Sequence, residues 1–348
     1  MEISQLVDYL RNYDGKPVRL MEVCGSHTHA ISEHGIRDLL SPKIELLSGP
    51  GCPVCVTPTA YIDRLIELCL EPDTTVVTFG DLLRVPGSKE SLNEAKGRGG
   101  SVAMVYSPMD VLKLARENPL RKYVFAAVGF ETTAPVYTLL LDRVIEEDIK
   151  NIRLLTALKT MPGAISYLCE NGATIDGFIA PGHVSAVTGA DYFNELAEKY
   201  HIPFAVSGFT AKELVVAIYG LVKMIENGEA KVSNYYTSVV DSTKNEIVEA
   251  QFQKYYKKAD VAWRGMGILP GTGLLLKDAY AQFDAGSAGL DVDNKKNMAC
   301  RCGDILMGKA KPVDCPLFGR VCTPSSPQGA CMVSQEGSCN NAYLSGMK

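Results

Sequence analysis

Two hydrophobic patterns alternate between residues 17 and 230. Short, almost uninterrupted apolar or β-branched runs occur at PVRLMEV (17–23), KIELLSG (43–49), TTVVTFG (74–80), SVAMVYS (101–107), KYVFAAVGF (122–130), IRLLTAL (152–158), IDGFIAP (175–181) and PFAVSGF (203–209). Between them lie longer stretches with apolar positions every three or four residues, such as TPTAYIDRLIELCLE, PMDVLKLAREN, APVYTLLLDRVIEEDI and TAKELVVAIYGLVKMIENGE. The first pattern is that of strands buried on both faces, the second that of amphipathic helices. Their alternation predicts the α/β class with parallel sheets. Eight strands could form one sheet, but the length suits two similar α/β domains better, spanning 1–121 and 122–230. From 231 the pattern changes. A polar helix spotted with aromatic residues is predicted over roughly 243–262, and a Gly-, Pro- and Ser-rich tail follows. Residues 231–348 therefore read as a helical connection and a third, loop-rich domain.

Nearly every predicted strand runs straight into Gly, Pro, Cys, His or an acid: MEV-CGSHTH, LLS-GPGCPVC, TFG-DLLRVPG, AVG-FETTAP, IAP-GHVSAV and VSG-FTAKEL. The carboxyl ends of parallel strands share an edge, and ligands bind in the crevice there. Polar and thiol groups are thus expected to converge on one rim, or on two facing rims.

The tail concentrates chemistry. Cys300, Cys302, Cys315, Cys322, Cys331 and Cys339 fall within the last 49 residues, spaced C-x-C-x12-C-x6-C-x8-C-x7-C. Large apolar side chains are sparse there, so a covalent or coordinative staple is expected. No secretory pattern opens the chain, which reads as cytoplasmic, and disulfides alone do not suit a reducing cytosol. Eleven cysteines, an odd count, point the same way. Four thiolates on an iron–sulfur cluster, with two cysteines left over, is the favoured reading. A structural zinc site is the alternative, although its usual paired C-x2-4-C knuckles are missing. A net charge of −5 argues against a nucleic-acid groove. No apolar run reaches the roughly 18 residues of a membrane span.

Cys24 sits just past a strand in VCGSHTHAI, with His27 and His29 close behind; Cys52 and Cys55 form CPVC between a strand and a helix expected to begin near Thr57. A C-x-x-C at a helix start is expected to have lowered thiol pKa values, because the helix dipole favours thiolate. Cys24 alone could equally be a small buried hydrophobe. Gly-Pro-Gly before CPVC marks a tight exposed loop and favours function. Cys69 and Cys169 lie in helical patterns and are assigned to packing. His183 (APGHVS) and Glu131 (GFETT) also follow strands and could donate protons or orient a ligand. For Glu131, capping of the next helix is an equal alternative. No G-x-x-x-x-G-K-[ST] is present.

CGSHTH (24–29), GPGCPVC (49–55), GFETTAP (129–135), PGHVS (181–185) and the tail pattern C-x-C-GDIL…DCPLFG-x-x-CTP…GACMVS-x-EG-x-C together resemble the HypD family of hydrogenase maturation factors across essentially the whole chain. Ala330, before Cys331, departs mildly from the family pattern. The resemblance implies a cytoplasmic iron–sulfur scaffold, monomeric on its own, on which the Fe(CN)2(CO) unit of [NiFe]-hydrogenase is assembled. It implies two partners: a HypC-like small chaperone, and a HypE-like donor that carries cyanide as a thiocyanate. Cys300, Cys315, Cys322 and Cys339 would ligate a [4Fe-4S] cluster. Cys302 and Cys331 would be a redox pair beside it, similar to ferredoxin:thioredoxin reductase. Cys24, Cys52 and Cys55 match the family's functional cysteines. Cys24 would anchor the iron, with His27 in support. A stand-alone iron–sulfur disulfide reductase, and a structural protein merely stapled by its tail, remain the competing readings.

Overall fold

The computed structural model describes residues 2–172 and 174–346. Its strands, numbered along the chain, are β1 (Val18–Glu22), β2 (Ile44–Ser48), β3 (Thr74–Thr78), β4 (Val102–Met104), β5 (Lys122–Gly129), β6 (Ile152–Lys159), β7 (Gly177–Pro181), β8 (Phe204–Ser207), β9 (Val232–Asn234), β10 (Tyr256–Trp263) and β11 (Gly267–Leu276). They form two sheets, ordered β2-β1-β7-β8-β9 and β10-β11-β6-β5-β3-β4. The first is parallel throughout. The second is parallel from β4 to β6 and ends in an antiparallel hairpin, β10–β11, laid against β6. The α/β class read from periodicity is therefore the fold.

The sheets do not divide at residue 121. Each takes strands from both sides of that boundary: β1 and β2 pair with β7–β9, while β3 and β4 pair with β5 and β6. Hydrophobic alternation predicts strands but carries no information about which strands become neighbours, so two sequential domains and two interleaved ones look alike in one dimension. The start of the third domain moves for the same reason, since β9 belongs to the first sheet and β10–β11 to the second. The helix expected over 243–262 is also shorter. It spans Glu246–Tyr255, capped by the Asn245 side chain on the Ile247 and Val248 N–H groups, and then yields to β10. Tyr256–Trp263 pairs antiparallel with β11, with a register shift between Ala259 and Val261, and that pairing overrides the helical pattern.

Strand side chains alternate between faces, as the pleat requires. In the first sheet, Val18, Leu20, Ile44, Leu46, Ile179 and Ala205 pack on one side, under the helices Ile3–Arg11 and Ala211–Glu226. Met21, Val23, Leu47, Phe178, Ala180, Phe204 and Val206 face the other side. That second face is where the tail docks: Ile305, Leu306, Leu317, Met332 and five tail cysteines share its core with Cys52, Cys55, Phe130 and Trp263. Burial against the sheet thus helps hold the tail, beyond what its composition suggested. No helix among the described residues is long and apolar enough to cross a membrane.

Candidate functional site

The in-register ends of β1, β2, β7 and β8 set the first rim: Glu22 lies opposite Ser48 and Ile179, and Pro181 opposite Ser207. The chain leaving each end carries Cys24, the GPGCPVC loop, His183 and Phe209. Two glycines bring the first two loops into contact. A Cβ on Gly51 would stand 2.2 Å from the Cys24 amide nitrogen, and the Gly51 carbonyl accepts the Gly25 N–H at 3.0 Å.

Cys24 is the N-cap of the helix Gly25–Glu33, with the backbone N–H groups of His27 and Ser26 near its sulfur but no side-chain capping hydrogen bond. Burial nevertheless pushes its pKa up to about 12; those N–H groups pull it down, while Glu336 and Glu22 push it further up. Glu22 is wholly buried beneath it. The Glu22 carboxylate accepts the Cys24 N–H at 3.2 Å and the Thr28 hydroxyl at 2.5 Å, and burial pushes its pKa up to about 8 against those bonds.

His27 donates from Nε2 to the carbonyls of Ser207 (3.2 Å) and Gly208 (3.1 Å), so it is the neutral Nε2–H tautomer. Its Nδ1 is buried without a partner. Burial drags its pKa down to about 4, although the two carbonyls resist. Phe209 lies between His27 and His183, with ring centroids at 4.7 and 4.0 Å. Burial lowers the His183 pKa, and Glu336 opposes the shift.

CPVC is a turn. The Cys55 N–H donates to the Cys52 sulfur at 3.2 Å, and the following helix begins only at Thr59. The lowered thiol pKa expected from a helix start does not hold for Cys55. It is completely buried, and burial carries its pKa well above the ordinary thiol value, although Cys331 pulls the other way. Desolvation outweighs a dipole that begins several residues downstream.

The tail cysteines converge. Cys300, Cys302, Cys315, Cys322, Cys331 and Cys339 line one small cavity together with Ile305, Phe318, Gly329 and Met332. Cys302 and Cys331 stand sulfur to sulfur at 2.7 Å. Cys331 also interacts with Cys55, and Cys302 with Cys300. The tail thiols thus lie close to the CPVC loop, where the Cys55 sulfur approaches the Ala330 carbonyl at 4.0 Å. Cys300 lowers the Cys302 pKa, yet the Cys331 contact and burial leave it well above the usual value. Burial raises Cys339 likewise, with the other tail thiols adding to it. Thiols held this way are costly to ionise without a cation among them.

The donor set fits an iron–sulfur cluster. Four cysteines beyond the 302/331 pair ring an apolar cavity, the Gln328 N–H points at the Cys322 sulfur (3.3 Å), and Gly329 leaves room where a Cβ would lie 2.8 Å from the Cys300 sulfur. A single tetrahedral ion would need sulfurs at about 2.3 Å from one point. Among the described residues, no group of three or more His, Cys, Asp or Glu is disposed to hold a metal ion as it stands, so the fit to a cluster rests on the chemistry of the four thiols.

Glu131 is not placed with the thiols by any of its bonds. Its Oε1 accepts the Met161 N–H at 2.7 Å and the Tyr192 hydroxyl at 2.9 Å, capping the helix Met161–Asn171 and not the next one; burial raises its pKa. Cys69 is buried on its helix and Cys169 half-buried, in keeping with packing roles. Three site residues escaped the sequence reading. Glu22 had a signal, an acid closing a largely apolar strand. Phe209 follows a strand like the other rim motifs. Glu336 stands in the quoted tail pattern, but nothing there ties it to Cys24: it reaches that residue only through the fold, accepting the Ser26 hydroxyl at 2.8 Å over Gly25, where a Cβ would meet its own at 2.5 Å.

The chain matches the HypD family model, described as hydrogenase formation hypA family, over residues 2–346. It is 41% identical to the hydrogenase maturation factor HypD of Rhodobacter capsulatus, covering 97% of this chain and 92% of that one. Identity to the HypD of Escherichia coli K12 is also 41%, over 98% and 95% of the two chains. The HypD of Azotobacter vinelandii is 40% identical, over 94% and 89%.

Proposed function

The chain belongs to the HypD family of hydrogenase maturation factors, and on that premise we propose that it is a cytoplasmic scaffold for assembling the Fe(CN)2(CO) unit of [NiFe]-hydrogenase. The observation that carries this reading is the proximity of the thiols. Cys24 and the CPVC loop share one rim, and the tail cysteines lie close to that loop at Cys55.

Iron bearing cyanide and CO is the cargo, and it calls for soft anionic anchors. Cys24 supplies one, at the N-terminus of a helix whose dipole favours thiolate. A second thiolate would come from the HypC-like partner. The buried Glu22 and the neutral His27 fix the backbone and the floor around Cys24.

Cyanide arrives as the thiocyanate of the HypE-like partner. Releasing it breaks the S–C bond and takes two electrons and one proton. Cys52 and Cys55 can provide them by closing to a disulfide, returning the partner's thiol, cyanide and one further proton. Cys331, in reach of both Cys55 and Cys302, can then reopen that bond by thiol–disulfide exchange. One S–S bond forms as another breaks, leaving Cys302 and Cys331 oxidised. Cys300, Cys315, Cys322 and Cys339 would hold a [4Fe-4S] cluster, which when bound supplies one-electron reducing equivalents.

Anaerobic isolation with the small partner tests the reading. Wild-type protein should carry infrared bands of cyanide and CO, and Cys24→Ala should lose them. The Cys52→Ser/Cys55→Ser pair should keep the cluster and lose cyanide transfer. Band-free wild-type complex with a reducible CPVC pair would favour the disulfide reductase instead.

A further inference from the structure

The turns that carry the tail cysteines have a surface unlike the rest of the chain. The whole protein has net charge −5, yet residues 294–346 hold six basic side chains against three acidic ones. Two of the acids are engaged locally or turned inward. Asp304 pairs with Arg301, and Glu336 points at Ser26. Lys296 and Lys311 are paired with Glu94 and Glu45. Lys295, Lys309 and Arg320 are exposed and have no acidic partner among the described residues.

Their placement follows the cavity. Lys295 reaches the Cys300 carbonyl at 3.2 Å, and Cys300 is the one proposed ligand that is only half-buried. Arg320 sits at the tip of the turn closed by the Cys322 N–H on the Leu317 carbonyl. The same tail segment also exposes large apolar side chains: Met298 is 83% exposed, Val321, next to Arg320 in sequence, 55% and Leu344 66%. Asp314 is exposed as well and, among the described residues, accepts only the Lys311 backbone N–H, so the segment keeps an excess of unpaired cations over unpaired acids. Apolar contacts within such an excess suit a transient protein interface that is steered electrostatically.

We infer that this face, centred on Lys295, Met298, Arg320 and Val321, docks a small acidic one-electron carrier protein that reduces the cluster through the Cys300 edge. The inference rests on the proposed function and deepens it. Each cyanide released consumes two electrons from the thiols, and a single cluster passes them one at a time, so two encounters with a reduced carrier balance one transfer. An acidic carrier is selected by the three unpaired cations. The interface must also release its partner between encounters, which suits a small patch with charged edges.

The test uses cluster-loaded full-length protein and a purified reduced acidic ferredoxin, under strict anaerobiosis. Its readouts are the salt dependence of complex formation and the rate of cluster bleaching. Complex formation should weaken steeply with added salt, as for exposed charges beyond the Debye length. The Lys295→Glu/Arg320→Glu variant should bind and be reduced about tenfold or more weakly. Its cluster absorbance and its reduction by dithionite should stay as in the wild type, which guards against a folding defect. Wild-type behaviour of the variant toward ferredoxin, or no complex at low salt, would overturn the inference while leaving the scaffold reading intact. Wild-type protein that takes up no cluster would remove both, and this is visible before any carrier is added.

Discussion

Replacing Gly51 by alanine should loosen the thiol rim, and the size of the effect can be worked out from the packing. The new Cβ would lie 2.2 Å from the Cys24 nitrogen, 2.4 Å from its Cα and 2.5 Å from the Val23 carbonyl carbon. All three are backbone atoms, so no side-chain rotation relieves the clash. The GPGC and CGSHTH loops must move apart, at an overpacking cost of about 1–3 kcal/mol. The Gly25 N–H to Gly51 carbonyl bond (3.0 Å) goes with them, at about 1 kcal/mol. The expected loss is ~2–4 kcal/mol, which at about 2.1 cal/mol/K per residue corresponds to a melting point roughly 3–6 °C lower. Calorimetry on reduced, metal-free protein measures this. Alkylation of Cys24 by iodoacetamide, followed by mass spectrometry, should accelerate, because the loop that keeps this thiol only 8% exposed is displaced. A melting point within about 1 °C of wild type, with Cys24 alkylated at the wild-type rate, would refute the claim that this contact positions the thiol.

Three further outcomes are expected. Lys159 is buried beside Trp263, and burial drags its pKa from 10.5 down to about 7. Between pH 7 and 10.5 the unfolded chain binds a proton there that the folded protein does not, so stability rises with pH, by up to about 1.4 kcal/mol per unit. Urea melts should show the advantage of Lys159→Met over wild type shrinking as the pH climbs from 7, and a constant gap would contradict this. Glu131→Gln keeps an oxygen for the Met161 N–H and the Tyr192 hydroxyl and should leave stability and iron assembly near wild type, whereas Glu131→Ala should cost about 1–3 kcal/mol in denaturant titrations. Loss of cyanide transfer in a stable Glu131→Gln protein would instead make the carboxyl a proton donor. Gly329→Ala pushes a methyl to within 2.8 Å of the Cys300 sulfur and should lower iron per chain on anaerobic reconstitution, with the melting point of the metal-free protein little changed; full iron loading would mean that the cavity does not seat the cluster.

Local pattern alone determined a good deal of this protein. Continuous apolar runs such as TTVVT and KYVFAAVG read as strands buried on both faces, and the Gly and Pro close behind them as strand ends, because those two residues interrupt a ladder. The six tail cysteines were legible as one group of thiols, and the CGSHTH and CPVC loops as rim motifs. Tertiary structure alone decided which strands are neighbours, since β1 must travel past β3–β6 to find β7, and nothing in a strand's own hydrophobicity records its partner. It also decided the protonation chemistry. Cys55 and Cys24 stand at turns and helix ends that favour thiolate locally, but packing buries both, and burial is set by what the distant parts of the chain lay over them. Glu336 is the clearest case: 310 residues from Ser26, it becomes a neighbour of Cys24 only because the tail folds onto the first sheet.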